Sequence, residues 1–160
     1  MNKKESTCCF TGHRQLPMDK IEHILRRLND EIDRLIGEGV TTYLSGGALG
    51  FDQMAAALIA AKKEMGYNIR LMLVLPNRDQ DKLWPEKDKP LYGYLLQSAD
   101  EVYYISDIYT NSCARERNYY MVEHSAYCIC ALLRDRSGTI QTVRYAEQKN
   151  LHIINVANPK

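Results

Sequence analysis

The chain has 160 residues, of which 45% are hydrophobic and 26% are charged, and its net charge is +1. These values are typical of one globular domain, so we expect a single domain over residues 1–160. The small net charge provides no overall attraction to nucleic acid or membrane, and no run of about 18 apolar residues is present to span a bilayer.

Five cysteines and the absence of a secretory signal argue against a disulfide framework and predict a cytoplasmic protein. Cys128 and Cys130 lie two positions apart on a predicted strand, so their side chains share one face. Their spacing differs from that of zinc knuckles, and we therefore expect buried core residues and no metal site.

Strand-like and helix-like segments alternate from the N-terminus. The apolar segment STCCFTG predicts a strand, and residues 18–36 predict a helix because apolar residues recur every three or four positions. The segment TTYLS predicts a second strand, and a glycine-rich loop leads into a helix over residues 51–65. The continuous apolar segment RLMLVLP is typical of a strand buried on both faces of a parallel sheet.

The second half continues the alternation. A polar loop precedes a short helix over residues 91–98 and a fourth strand, EVYYIS. A helix over residues 113–125, a strand in AYCICALL, a helix over residues 138–149 and a strand in LHIINVA follow. The pattern predicts a three-layer α/β fold with a mainly parallel sheet of about six strands. Ligands of such folds bind beyond the carboxyl ends of the strands.

Polar and glycine residues follow three of the predicted strands. They are Thr11, Gly12, His13 and Arg14 after the first, Ser45, Gly46, Gly47 and Ala48 after the second, and Arg134, Ser137, Gly138 and Thr139 after the fifth. Two of these turns run into helix N-termini, where free N–H groups and the helix dipole favour an anion. One such glycine is often present for turn geometry alone, but two turns and an arginine predict a phosphate-bearing ligand. The spacing matches neither a Walker loop nor GxGxxG.

Several side chains near these turns have two interpretations. Asp52, in the first turn of a helix, either complements the helix dipole or accepts a hydrogen bond from ribose hydroxyls. His13 is interpreted as a turn residue or ligand contact, since no carboxylate is paired with it in sequence. Arg115, Arg117 and Asn118 open a predicted helix and either contact a ligand anion or form a solvated face. Trp84 is expected to pack rather than to act as a lid.

Four segments together resemble the SLOG superfamily, which includes the Lonely Guy phosphoribohydrolases and the DNA-processing protein Smf. TGHR at 11–14, SGGALGFD at 45–52, LP ending at Pro76 and RNYYM at 117–121 occur in the order of its YpsA-like branch. The resemblance covers essentially the whole chain. It implies a Rossmann-like fold whose glycine loops bind a nucleotide or a nucleotide-derived ligand such as ADP-ribose.

The hydrolytic members of that superfamily carry a catalytic glutamate in a GGxGTxxE motif and a lysine in an RKxxM motif. Here Thr142 stands at the position of the glutamate and Asn118 at that of the lysine. Threonine is not an ionised acid or base at neutral pH. We therefore predict nucleotide binding or sensing with no catalytic residue and no required cofactor.

Two alternatives remain. One is hydrolysis of a nucleotide N-glycosidic bond with Glu116 or Glu123 in place of the missing catalytic carboxylate, and the other is binding of single-stranded DNA. We do not expect a nucleic acid or membrane partner, because the net charge is nearly zero. Eleven tyrosines leave room for an aromatic interface in a homo-oligomer.

Overall fold

The computed structural model describes residues 3–133 and 137–158. Its strands are β1 Thr7–Gly12, β2 Thr42–Ser45, β3 Arg70–Leu75, β4 Glu101–Tyr104, β5 Tyr127–Ala131 and β6 His152–Asn155. Its α-helices are α1 Met18–Gly37, α2 Phe51–Glu64, α3 Lys89–Ser98, α4 Cys113–Glu123 and α5 Gly138–Gln148. All of them lie where the hydrophobic pattern predicts, with ends that differ by about two residues at most. Two short 3-10 helices, Lys3–Ser6 and Glu86–Asp88, have no apolar period and are not predicted.

The six strands form one parallel sheet in the order β4-β3-β2-β1-β5-β6. Helices α1, α2 and α3 pack on one face of the sheet, and α4 and α5 pack on the other. The predicted three-layer, Rossmann-like α/β fold is therefore confirmed. No helix in the described part of the chain is long and apolar enough to cross a membrane.

Helix α1 shows how periodicity produces the packing. Ile24, Leu28, Ile32 and Leu35 are fully buried on the face that meets the sheet. Each contributes about 1.5–3 kcal/mol through burial of apolar surface, before its loss of side-chain entropy. Leu25, which belongs to the same predicted stripe, is 39% exposed because it lies at the stripe's edge.

Cysteines line the sheet interior as core residues. Cys9, Cys128 and Cys130 pack into the core beneath α4 and α5, whereas Cys8 points into the core beneath α1 and α2. Cys9 and Cys128 are register partners on β1 and β5. All four are buried free thiols, and burial raises the pKa of Cys8 and Cys130, the latter to about 12. The expectation that Cys128 and Cys130 are buried core residues is confirmed.

The direction of chain progression reverses beside β1. From β1 the chain adds β2, β3 and β4 on one side, and then returns to add β5 and β6 on the other. The chain therefore crosses one face of the sheet after β1 and the other face after β5. Because these neighbouring strands continue in opposite directions, a crevice opens beyond their carboxyl ends.

Candidate functional site

A cavity of about 630 Å³ lies at this reversal of strand order. The turn after β1, the loop before α2 and the first turns of α4 and α5 surround it. The lining residues are Thr11, Gly12, His13, Arg14, Gln15, Ala48, Leu49, Asp52, Ala114, Arg117, Asn118, Ser137, Gly138 and Thr139. Most of the residues predicted from the sequence thus lie together. Gln15, Leu49 and Ala114 also line the cavity, but nothing in the sequence singled them out.

Five predicted residues lie outside the cavity lining: Ser45, Gly46, Gly47, Pro76 and Arg115. Ser45 is fully buried, and the Pro76 carbonyl accepts a backbone hydrogen bond from Ser106, two residues after β4. Arg115 is exposed on α4. The structure also describes neither Arg134 nor Arg136, which fall outside the described residues.

In the Gly46–Gly47 segment, the Gly47 amide and both carbonyls are bonded within the protein, while contact of this segment with a phosphate stays a prediction. The Gly47 N–H donates to Ser45 Oγ at 3.2 Å, and the Gly47 carbonyl accepts from Gln53 Nε2 at 3.1 Å. The Gly46 carbonyl accepts from Arg117 Nη1 at 2.7 Å and from Gln80 Nε2 at 3.3 Å. The protein's own side chains therefore hold this segment.

Gly46 is glycine because the Arg117 side chain occupies the space beside it. A Cβ on Gly46 would lie 2.5 Å from Arg117 Nη1. Gly47 has φ +69° and faces away from the cavity, where a Cβ would lie 2.9 Å from Leu75 Cδ2. Substitution of Gly47 would therefore disturb packing and test the fold rather than ligand binding.

The N-terminus of α2 packs tightly against the turn after β1. The Phe51 N–H donates to the His13 carbonyl at 3.1 Å. Gly50 has φ +87°, and a Cβ there would overlap the backbone carbonyl of Arg14. This contact fixes Asp52, one residue further along, against the cavity.

We predict that Gly12→Ala destabilises the protein by about 2 kcal/mol through overpacking. Its Cβ would lie 2.5 Å from the Cβ and ring of Phe51, which is fully buried. Gly37→Ala is the matched control, because no atom lies within 4 Å of a Cβ at that helix end. Urea unfolding measures both changes. An unaltered midpoint for Gly12→Ala would show that α2 does not need this close approach.

Asp52 is a buried carboxylate at the cavity wall, with 6% of its surface exposed. Its Oδ1 atom meets no hydrogen-bond partner within the described residues. Burial raises the pKa of Asp52 to about 6, although Arg117, the Ala48 N–H and Arg14 act in the opposite direction. An unpaired acceptor at this depth is unfavourable unless a ligand supplies a donor.

Arg117 is 5% exposed and reaches the cavity from the second turn of α4. Burial lowers the pKa of Arg117, while the nearby Asp52 carboxylate acts to raise it. Its Nε donates to Asn118 Oδ1 at 2.7 Å, which leaves the amide nitrogen of Asn118 as that side chain's donor. Arg117 thus connects the loop before α2 to the start of α4.

His13 connects the ends of β1 and β5. The Leu133 N–H donates to His13 Nε2 at 3.0 Å, so Nε2 is the acceptor in this contact. His13 is 2% exposed. These contacts give His13 a role in the turn, as the sequence suggests, while contact with a ligand stays a prediction.

The N-terminus of α5 faces the cavity through Ser137, Gly138 and Thr139. Ser137 Oγ accepts from the Ile140 N–H at 3.4 Å and so caps one amide of the first turn. A Cβ on Gly138 would meet no atom of the described residues within 4 Å. Thr142 Oγ1 donates to the Gly138 carbonyl at 2.9 Å, and Thr142 does not line the cavity.

The glutamates considered as substitute acids lie elsewhere. Glu116 accepts from Ser112 Oγ at 2.9 Å, and Glu123 accepts from the Tyr145 hydroxyl. Both are exposed, and neither lines the cavity.

The aromatic residues pack against one another outside the cavity. Trp84 packs edge to face against Tyr92 with 5.0 Å between the ring centroids, as expected for a packing role. Tyr119 stacks on Tyr145 with 4.2 Å between the ring centroids, and Tyr120 stacks on Tyr103 with 4.8 Å between theirs. None of them lines the cavity.

Residues 8–156 match the family model YpsA, which describes the YspA SLOG family. The chain belongs to the YspA SLOG family. The resemblance drawn from the four sequence motifs is therefore confirmed, and in this SLOG protein three of those motifs contribute residues to one cavity.

Two relatives agree with this assignment. The SPbeta prophage-derived protein YoqJ of Bacillus subtilis is 27% identical over 142 residues, which cover 78% of this chain and 83% of YoqJ. A UPF0398 protein of Halalkalibacterium halodurans is 26% identical over 145 residues, which cover 87% of this chain and 77% of that protein.

Two solved structures share the fold. The chain is similar to DNA processing protein A of Streptococcus pneumoniae with a TM-score of 0.69 and 17% identity, over 94% of this chain and 50% of that one. It is similar to DNA processing protein A of Helicobacter pylori with a TM-score of 0.63 and 16% identity, over 92% of this chain and 63% of that one. The chain thus spans about half to two thirds of these longer proteins.

The expectation that nucleic acid is not a partner is contradicted by this comparison. The Helicobacter pylori protein has a single-stranded DNA binding mode, so the shared fold is compatible with a nucleic acid partner. Net charge is a poor guide here because it averages over the whole surface. Arg14 and Arg117 instead concentrate positive charge at one cavity beside three helix N-termini.

Proposed function

We propose that this SLOG protein is a binding or sensing protein without catalysis. Its ligand is a nucleotide or a nucleotide-derived molecule such as ADP-ribose, which binds in the cavity at the reversal of strand order. One observation carries the proposal: two arginines and the N-termini of α2, α4 and α5 converge on a single cavity that also contains a buried carboxylate. The volume of about 630 Å³ is within the usual range for small-ligand sites.

The phosphate group is assigned to the N-terminus of α5. The first-turn N–H groups of a helix lack intrahelical acceptors, and Ser137 caps only the one at Ile140. Within the described part of the chain the amides of Gly138 and Thr139 have no recorded partner and can bind an anion, and Arg14, exposed at the cavity wall, supplies a full positive charge. Asn118 adds an amide donor from α4.

The absence of catalysis is proposed from the side chains that surround the cavity. Asp52 is the one carboxylate among the described lining residues, and the Nε2 atom of His13 is occupied by the Leu133 amide. A general acid and a general base paired across a bound nucleotide are thus not found within the described residues. This arrangement supports binding over N-glycosidic hydrolysis.

Calorimetric titration with ADP-ribose, nicotinamide adenine dinucleotide, AMP and GMP tests the proposal. We expect saturable binding of at least one of them with one ligand per chain, and no release of free base during a long incubation. Failure of all four at millimolar concentration would contradict the binding function. Steady release of adenine or guanine would instead establish the hydrolase alternative.

Binding of single-stranded DNA is a second candidate. It is favoured by the fold shared with the Helicobacter pylori protein and by the exposed Arg14 at the rim of an open cavity. Fluorescence anisotropy with a short labelled oligonucleotide tests it. Binding that weakens with salt and is displaced by ADP-ribose would place DNA at the same site. No change in anisotropy at low salt would remove this candidate.

A further inference from the structure

One oxygen of the Asp52 carboxylate, Oδ1, lacks a partner at a depth where a purely structural aspartate would have both oxygens bonded. Asp52 is the second residue of α2, and Asp19 is the second residue of α1. Both therefore complement a helix dipole, but Asp19 is exposed, as dipole stabilisation allows. Asp52 is 6% exposed with Oδ1 unpartnered within the described residues. Dipole stabilisation alone does not explain that burial.

The groups around Asp52 are mainly donors. Arg14, Arg117, Asn118 and the α5 amides all offer N–H groups to the cavity. These N–H donors suit the acceptor oxygens of a phosphate. The Asp52 carboxylate, in contrast, would repel a phosphate. Asp52 therefore requires a different part of the ligand, one that donates a hydrogen bond.

The position of Asp52 selects among the donors of a nucleotide. Arg14 and Asp52 line the same cavity, and we have assigned the phosphate to this arginine. The donors one sugar ring away from a 5′-phosphate are the ribose hydroxyls, whereas the amino group of a base lies further away. A hydroxyl also forms a short, strong hydrogen bond to a carboxylate.

We propose that Asp52 accepts a hydrogen bond from a ribose hydroxyl and that the cavity therefore selects ribonucleotides over analogues that lack this hydroxyl. The inference rests on the proposed nucleotide-binding function and specifies its ligand class. Loss of a hydrogen bond to a buried charged group weakens binding about 10- to 100-fold, because the carboxylate is then left unpaired.

Titration of AMP, 2′-deoxy-AMP and 3′-deoxy-AMP into the full chain tests the inference. For the wild type we expect at least one deoxy analogue to bind about tenfold or more weakly than AMP. In Asp52→Asn the ratio of the affinities for AMP and for the deoxy analogue should fall to less than about threefold, because the charged acceptor is gone. Asp19→Asn, the same change at the same helix position, should retain the wild-type preference.

The outcomes separate the inference from the proposed function. If both deoxy analogues bind the wild type as well as AMP does, the ribose assignment is wrong while nucleotide binding stands. A preference that persists in Asp52→Asn would assign the hydroxyl to another residue and also overturn the inference. If none of AMP, GMP, ADP-ribose and nicotinamide adenine dinucleotide binds, the proposed function itself fails. Thermal denaturation of each variant verifies that it is folded.

Discussion

Gly138→Asp is expected to weaken nucleotide binding about 100-fold or more and to leave the protein folded. The substituted side chain meets no atom within 4 Å of its Cβ among residues 3–133 and 137–158. A carboxylate in the first turn of α5 also complements the helix dipole and stabilises the free protein by about 0.3–1 kcal/mol. The same charge, however, would lie against the phosphate and repel it.

Gly93→Asp is the matched control for this substitution. Gly93 lies on α3, has equally open space beside it and does not line the cavity. Calorimetry with ADP-ribose should give wild-type affinity for Gly93→Asp and no measurable heat for Gly138→Asp at the same concentrations. Equal affinities for the two variants would mean that the phosphate does not bind at α5.

Asp52→Asn is expected to stabilise the free protein by about 2–3 kcal/mol at pH 7 while it weakens ligand binding. Burial raises the pKa of Asp52 from 3.8 to about 6, so ionisation of this carboxyl in the folded state is unfavourable. An asparagine removes the charge and retains an oxygen for the Ala48 N–H. A gain in stability with a loss of affinity is typical of a residue retained for function.

The stability difference should depend on pH with a definite sign. Between pH 3.8 and about 6, folded Asp52 retains a proton that the unfolded chain has released, so the free energy of unfolding of the wild type falls as pH rises. The gain in free energy of unfolding from Asp52→Asn should therefore be near zero below pH 4 and reach its full value above pH 6. Nucleotide affinity of the wild type should rise over the same interval as the carboxylate forms.

Asp19→Asn provides the contrast. Asp19 is exposed at the same helix position, so its replacement should lower the free energy of unfolding by about 0.3–1 kcal/mol because a charge that complements the helix dipole is removed. Chemical denaturation at several pH values measures both variants. A loss of stability for Asp52→Asn would show that Asp52 serves the helix rather than a ligand.

The sequence predicts the fold because each element carries its own local signal. The apolar spacing of α1 and the continuous apolar run of β3 do not depend on distant residues, and parallel pairing follows from their alternation. The gathering of Arg14, Asp52 and Gly138 is predictable for the same reason, since strand ends in a parallel sheet meet at one edge.

The role of Gly46 and Gly47 is not predictable from local sequence. A glycine-rich turn before a helix looks the same whether its amides face a ligand or its own protein. Here Arg117 and Gln80, distant in sequence, occupy the Gly46 carbonyl, and Ser45 occupies the Gly47 amide. The bond between His13 and Leu133 likewise depends on a contact across 120 residues of chain. Such contacts exist only once the fold is formed.

A crystal structure of the protein grown with ADP-ribose tests the central claim most directly. We expect a phosphate within hydrogen-bond distance of the Gly138 and Thr139 amides and beside Arg14, with a ribose hydroxyl on Asp52 Oδ1. A ligand bound elsewhere on the surface, or a cavity that stays empty at saturating ADP-ribose, would contradict it.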